Sequence, residues 1–269
     1  MGFRLRRVSE AARDWAPVGV YLRVHNLIAR LKRYPTAAAV GDGSRLRIGD
    51  TSGKIEVCRR NRLWLYKRGV AHRLAALQDI YMLGGIDVPA GEAFVDCGAN
   101  VGELGWFARA RSLAYHAFEP EPLEADCCDA NNFDGAARTN RMALWSVSTT
   151  LTFHSKPDTG DGSVLPIEGA RGQVEVPATS LDDYIAAHGI ERIGVLKIEA
   201  EGAEPEVLAG AERALTATRY VTVDCGFERG VAQESTAAPV INHLLRHGFE
   251  LLAWNPKRCT FLFRNCSVG

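Results

Sequence analysis

Phe94-Val95-Asp96-Cys97-Gly98-Ala99-Asn100-Val101-Gly102 reads as a buried strand that ends in an acid and runs into a glycine-rich turn opening a helix. A turn of this kind lets backbone approach a ligand closely, and the first turn of the helix presents N–H groups with no intrahelical partner. A dinucleotide fingerprint would place glycines at 98, 100 and 103, where this chain has Gly98, Asn100 and Glu103. An acid in that first turn repels a pyrophosphate, which disfavours NAD and FAD. Twenty-one residues beyond Gly98, the apolar run 114–118 ends in Glu119-Pro120. That spacing puts a carboxylate at the C-terminal edge of a second strand, where it can accept both hydroxyls of a ribose. With Asp96 and later carboxylates it makes a negative crevice, which suits a cationic cofactor.

Outward from this segment, strand and helix patterns alternate. Strands are expected at 92–97, 114–119, 138–144, 193–198 and 219–224, with helices at 102–111, 122–132, 180–188, 204–215 and 234–247. Short apolar strands alternating with helices imply an α/β, doubly wound, mostly parallel sheet of the Rossmann-like kind. The runs 249–254 and 260–264 are joined only by Asn255-Pro256-Lys257-Arg258-Cys259, too short for a parallel crossover, so the sheet should close with an antiparallel C-terminal strand and reach seven strands.

A second cluster is Leu196-Lys197-Ile198-Glu199-Ala200-Glu201-Gly202-Ala203-Glu204. Lys197, Glu199 and Glu201 stand at period two where an apolar strand ends, on the sheet edge at which open α/β folds bind ligands. One carboxylate could act on a substrate while Lys197 orients it. Glu201 and Glu204 also suit capping of the helix that starts near Pro205. His154 falls in the polar, glycine-rich stretch 151–163, expected to be a loop near the acceptor. Asp224, Glu228 and Arg229 share the same edge. Asp182-Asp183 follows Thr179-Ser180 at a helix start, where acids serve the helix dipole, so no metal ligand set is expected.

At these residues the chain resembles the class I S-adenosylmethionine-dependent methyltransferases, and more narrowly the FkbM family. Residues 94–102 look like that family's first motif, Ala117-Phe118-Glu119-Pro120 like its second, and 196–204 like its K-I-D-x-E-G-A-E signature, with Glu199 replacing the aspartate. The resemblance implies that Asp96, Gly98, Ala99, Asn100 and Gly102 shape a pocket for S-adenosyl-L-methionine, that Glu119 holds its ribose, and that Ala143 and Leu144 lie near its adenine. It implies O-methylation of a small-molecule, glycan or natural-product hydroxyl, with Glu199 first among candidate bases and Glu201 and His154 behind it. Methyl transfer depends chiefly on alignment, worth roughly 7–11 kcal/mol, and a positioned base adds about 10²–10⁴-fold. The rival readings are a non-catalytic, membrane-associated protein that binds the same cofactor, an N-methyltransferase, and an NAD-dependent oxidoreductase.

The chain has 269 residues, 46% hydrophobic and 24% charged, which excludes disorder, collagen-like repeats and a small disulfide scaffold. Net charge is zero, but residues 1–73 carry 17 basic and five acidic residues, about +12, leaving about −12 behind. Apolar residues in 7–33 recur at spacings of one or two amphipathic helices broken near Pro17-Val18-Gly19. Lys54–Cys58 and Leu63–Tyr66 should flank a hairpin turn. Residues 1–90 therefore read as a helical and hairpin extension and 91–269 as the methyltransferase domain. The basic front suits peripheral contact with an anionic membrane or docking on its own domain; its few, unpatterned aromatics disfavour nucleic acid. Seven cysteines without C-x-x-C spacing, no membrane-length apolar run and no signal-peptide core suggest a cytoplasmic protein, able to lie on the inner face of the membrane. Oligomeric state has no signature in the sequence.

Overall fold

The computed structural model describes residues 16–156 and 162–268, and the chain divides into two compact units, Met1–Ala75 and Ala76–Gly269. The expected helical segment 7–15 and the loop residues 157–161 lie outside the described residues.

In the first unit, helix α1 (Val18–Leu31) starts directly after Pro17, whose carbonyl accepts the N–H groups of Val20 and Tyr21. Three antiparallel strands follow, β1 (Ala37–Val40), β2 (Leu46–Asp50) and β3 (Gly53–Val57). Asn26 binds both backbone groups of Ala38, at 2.7 and 2.8 Å, and so pins α1 to β1. The expected hairpin is displaced. Gly53–Val57 pairs backwards with Leu46–Asp50, while Arg60–Tyr66 forms a 3-10 helix that buries Leu63 and Tyr66. Leu63 and Tyr66 are three apart, so the i, i+3 period of a 3-10 turn carries both inward, which an alternating strand could not do. Asp50 then accepts the Val70 N–H at the start of α2 (Val70–Ile80).

The second unit is built on β4 (Ala93–Cys97), α3 (Gly105–Ala110), β5 (Ala114–Phe118), α4 (Pro122–Asn132), β6 (Ala143–Leu144), β7 (Thr149–Ser155) and β8 (Gly172–Thr179). It continues through α5 (Leu181–His188), β9 (Ile193–Ile198), α6 (Glu204–Ala209), α7 (Glu212–Thr216), β10 (Thr218–Asp224), β11 (Phe227–Arg229), β12 (Glu234–Ser235), α8 (Ala237–Arg246), β13 (Phe249–Asn255) and β14 (Thr260–Asn265). The main sheet has the order β13-β14-β10-β9-β4-β5. β5, β4, β9 and β10 are parallel neighbours, and β14 runs antiparallel to both β10 and β13. A Rossmann-like α/β fold with an antiparallel C-terminal strand is therefore present, but among the described residues the sheet has six strands and not the expected seven.

The missing strand has a local cause. Asp129 takes the N–H groups of Arg138 and Thr139, the Thr139 hydroxyl and the Arg141 guanidinium, while Asn140 binds the Ala117 carbonyl through its side chain. These side chains compete with a ladder, so only a Phe118–Asn140 bridge forms, and Ala143–Leu144 pairs with β8 instead. The expected helix 204–215 is split at Gly210, where a Cβ would lie 2.0 Å from the Trp145 carbonyl oxygen. Glu234–Ser235 pairs with Phe227–Arg229, so the last helix begins at Ala237. The core joins strand residues Val95, Leu196, Ile198, Val221 and Phe263 to Leu181, Val207, Leu208, Val240 and Leu244 of the covering helices. Burial of each such side chain stabilises the fold by about 1.5–3 kcal/mol.

Candidate active site

β4, β9 and β10 lie side by side in register, so Asp96, Lys197 and Thr222 stand in one row across the sheet. Lys197 is buried, with its ammonium 3.0 Å from Asp96 Oδ1, 3.0 Å from the Cys97 carbonyl and 2.6 Å from the Gly98 carbonyl. Burial alone works against that charge, but Asp96 and Glu199 outweigh it and raise the lysine above its ordinary value. Asp96 Oδ2 accepts the Tyr115 hydroxyl at 2.7 Å. Asp96 and Lys197 thus act from beneath the glycine-rich turn, and removing either partner of such a buried pair typically costs about 3–5 kcal/mol.

The turn itself is held from two sides. The N–H groups of Gly98 and Ala99 both donate to the Phe118 carbonyl, at 3.0 and 2.9 Å. Gly98 has φ +73°, and a Cβ there would lie 2.0 Å from the Glu199 carbonyl oxygen, so only glycine lets the β4 and β9 ends close together. Asn100 takes φ +49°, an uncommon conformation for a residue with a side chain, and its N–H donates to Glu119 Oε2 at 2.8 Å. Gly102 faces α4, where Cys128 and Asn132 crowd it. Glu119 also accepts the Glu121 N–H through Oε1 at 2.9 Å. Burial pushes this carboxyl up to about 7, with the Glu121 and Asn100 N–H groups working the other way and nearby Glu124 adding to the rise.

Glu199 occupies the opposite side of the turn. Its carboxylate lies 3.3 Å from Lys197 and 3.5 Å from Arg258, and it accepts the Tyr81 hydroxyl. Burial opposes its ionisation, but Lys197, Tyr81 and Arg258 outweigh that and hold it below its ordinary value. Arg258 also reaches Asp224 at 3.0 Å. Near Asp224 stands the Glu228 carboxyl, pushed up to about 7 by burial and by the charges of Asp224 and Glu199.

The other expected residues are placed as follows. Glu201 takes φ +49°, and its carbonyl accepts the Ser163 hydroxyl. Glu204 is buried and binds the N–H groups of Ala200 and Gly202 and the Thr236 hydroxyl, holding that loop together. Arg229 pairs with Glu206 and the Gly202 carbonyl. His154 stands on β7, not in a loop, because Thr149–Ser155 pairs along its whole length with β8; its backbone bridges to Ser163. Ala143 and Leu144 are buried, Leu144 within the main core. Asp182 binds the N–H groups of Arg213 and Ala214 at the start of α7 and Asp183 accepts the Ser148 hydroxyl, while Ser180 caps α5 by accepting the Asp183 N–H.

Sequence reasoning missed Tyr81 and Arg258. Tyr81 reads as one more apolar position in a helical stripe, and Arg258 as part of a short link. The link's tightness was itself the signal, since an antiparallel hairpin set beside β10 must return its turn to the strand end where Asp224 lies.

Comparison with known proteins places this arrangement. The model of the Methyltransferase FkbM domain matches residues 96–251, from the buried acid of β4 to the middle of β13. The chain belongs to the FkbM methyltransferase family. The 31-O-demethyl-FK506 methyltransferase FkbM of Streptomyces tacrolimicus is 28% identical over 211 residues, 64% of this chain and 78% of that protein. The 2-O-methyltransferase NoeI of Sinorhizobium fredii is 25% identical over 186 residues, 61% of this chain and 74% of its own length. The hexuronic acid methyltransferase AglP of Haloferax volcanii is 26% identical over 149 residues, 55% and 61%. The Glu119 turn and the Lys197–Glu199 segment both lie inside the family match.

Proposed function

We propose that this FkbM-family protein transfers a methyl group from S-adenosyl-L-methionine to a hydroxyl of a sugar, glycan or other natural product. The observation that carries the reading is the Asn100 turn fastened to the Glu119 carboxylate on one side and to Glu199 through Lys197 on the other. The residues present fit that cofactor: Glu119 is an acceptor-only group when ionised and suits vicinal hydroxyls, and the Glu199, Asp224 and Glu228 carboxyls suit a cationic sulfonium. When bound, S-adenosylmethionine supplies a methyl group activated for displacement. Gly98, Ala99 and Asn100 would offer backbone to its amino-acid end, and Glu119 would hold its ribose. A hydroxyl acceptor is supported by the names of the 31-O-demethyl-FK506 methyltransferase FkbM and the 2-O-methyltransferase NoeI, and a sugar acceptor by that of the hexuronic acid methyltransferase AglP.

An alcohol acceptor loses a proton, and a base works best when its pKa lies near the working pH. Glu199 was the expected base, yet three partners hold it ionised and below its ordinary value, whereas Glu228 sits near neutrality. The proposed division of work is that Glu228 accepts the proton and Glu199, with Tyr81 and Arg258, orients the acceptor. Radiolabelled methyl transfer to a panel of sugar hydroxyls tests this. Glu228→Gln should lower kcat about 10²-fold and abolish its rise with pH through about 7, with cofactor affinity retained. If Glu228→Gln keeps the wild-type kcat and profile while Glu199→Gln loses both, the base is Glu199.

Peripheral contact with an anionic bilayer belongs to the same reading. On α1, Val20, Val24, Leu27 and Leu31 are exposed at i, i+4, i+7 and i+11, one stripe of a helix, with exposed Arg23 and Arg30 beside it. An apolar stripe flanked by arginines, in a segment of about +12, matches a negatively charged lipid surface.

A further inference from the structure

Helices α7 and α8 end far from the chemistry. α7 leads into the first residue of β10, and α8 into the first residue of β13, so both reach the sheet edge opposite the one that carries Glu119 and Glu199. There His243, on α8, and His247, which caps its C-terminal end, lie four residues apart with rings stacked at 4.3 Å and 14°. Glu212, in the first turn of α7, faces both: Oε2 is 2.6 Å from His247 Nε2 and Oε1 is 3.5 Å from His243 Nε2. His247 Nδ1 is 2.8 Å from the His243 carbonyl, so that nitrogen donates and Nε2 is the one left to bind. His243 Nε2 is buried and makes no hydrogen bond.

We infer that Glu212, His243 and His247 form a divalent-metal site, best suited to zinc, that staples α7 to α8. Their ligand atoms all lie within 4.8 Å of one another. Two imidazoles and one carboxylate are a zinc donor set, bound at about 2.0–2.2 Å, with water able to complete a tetrahedron. Ligand atoms around such an ion stand about 3.4 Å apart. Glu212 Oε1 is 3.5 Å from His243 Nε2 and its other oxygen, Oε2, is 2.6 Å from His247 Nε2, so the carboxylate has to turn or take the ion with both oxygens, and its His247 contact has to open by less than one ångström. The Nδ1 contact of His247 to a backbone carbonyl is the second hydrogen bond that fixes a metal-binding ring. Arg246 adds positive charge next to both histidines and repels a cation, so the site needs all three ligands together.

The test uses the full-length protein, stripped with EDTA and titrated with zinc chloride by calorimetry, with X-ray absorption on the loaded sample. The expected result is one zinc per chain at micromolar affinity, weakened at least tenfold in both His243→Gln and Glu212→Gln. The absorption spectrum should show only nitrogen and oxygen ligands near 2.0–2.1 Å. Because a variant could simply misfold, the wild-type spectrum decides independently: sulfur at about 2.3 Å would place the metal on the cysteines and overturn the site. Absence of zinc uptake, or equal uptake by wild type and both variants, overturns it as well.

Discussion

The chemistry of Glu119 is set by where the chain buries it. Its ordinary pKa of 4.5 is pushed up to about 7 in the fold, so between those values the native state holds a proton that the unfolded chain has released. Stability therefore falls as pH rises through that window, and the cost is complete above about 7. Binding of a ribose needs the opposite protonation state. Affinity for S-adenosylhomocysteine should rise with pH, by up to about tenfold per unit below 7, and then level off. Calorimetry from pH 5.5 to 8.5 checks this, and a flat profile would remove Glu119 from ribose recognition. Glu119 and Gly98 were legible in the sequence because strand-turn-helix geometry is local. Tyr81 and Arg258 were not, because their roles arise from contacts 118 and 59 residues away along the chain, at Glu199.

Among elements, the buried strands β4, β9 and β10 and the antiparallel end were legible because continuous apolar runs and a five-residue link leave few alternatives. The third strand was not. Its residues 138–141 are polar, and Asp129 takes the backbone N–H groups of Arg138 and Thr139, which leaves only Asn140 bridged to β5. β7 reads as part of the loop 151–163 and β8 received no assignment, although Thr149, Leu151, Phe153 and Val174, Val176, Ala178 alternate as strand residues do. The join of β4 to β9 gives a sharp expectation. Gly98→Ala puts a Cβ into the Glu199 carbonyl at a positive φ, and backbone strain alone is worth about 1–3 kcal/mol. Urea denaturation should show a clearly lower midpoint together with lost cofactor affinity. An unchanged midpoint would mean that the two strand ends do not depend on glycine at this position.

For the molecule as a whole, the charge asymmetry read from composition falls on the unit Met1–Ala75, which carries the exposed stripe of α1. Among the described residues no helix is long and apolar enough to cross a membrane. Flotation should recover the full-length protein with phosphatidylglycerol vesicles but not with neutral ones. Added salt should reduce the binding, and Val24→Glu with Leu27→Glu should abolish it. Equal flotation by the double variant would contradict lipid contact by this face, and a shift of the wild type to a dimer in sedimentation would assign the stripe to a second copy.

On the proposed reading, the turn between β4 and α3, fastened to Glu119, holds the nucleoside of S-adenosylmethionine. Calorimetric titration of the protein with S-adenosylhomocysteine at pH 8, with Glu119→Ala and NADH in parallel, tests it most directly. Micromolar binding of S-adenosylhomocysteine, its loss in Glu119→Ala, and no binding of NADH are expected. Binding of NADH in its place, or undiminished binding by Glu119→Ala, would remove this turn from S-adenosylmethionine recognition.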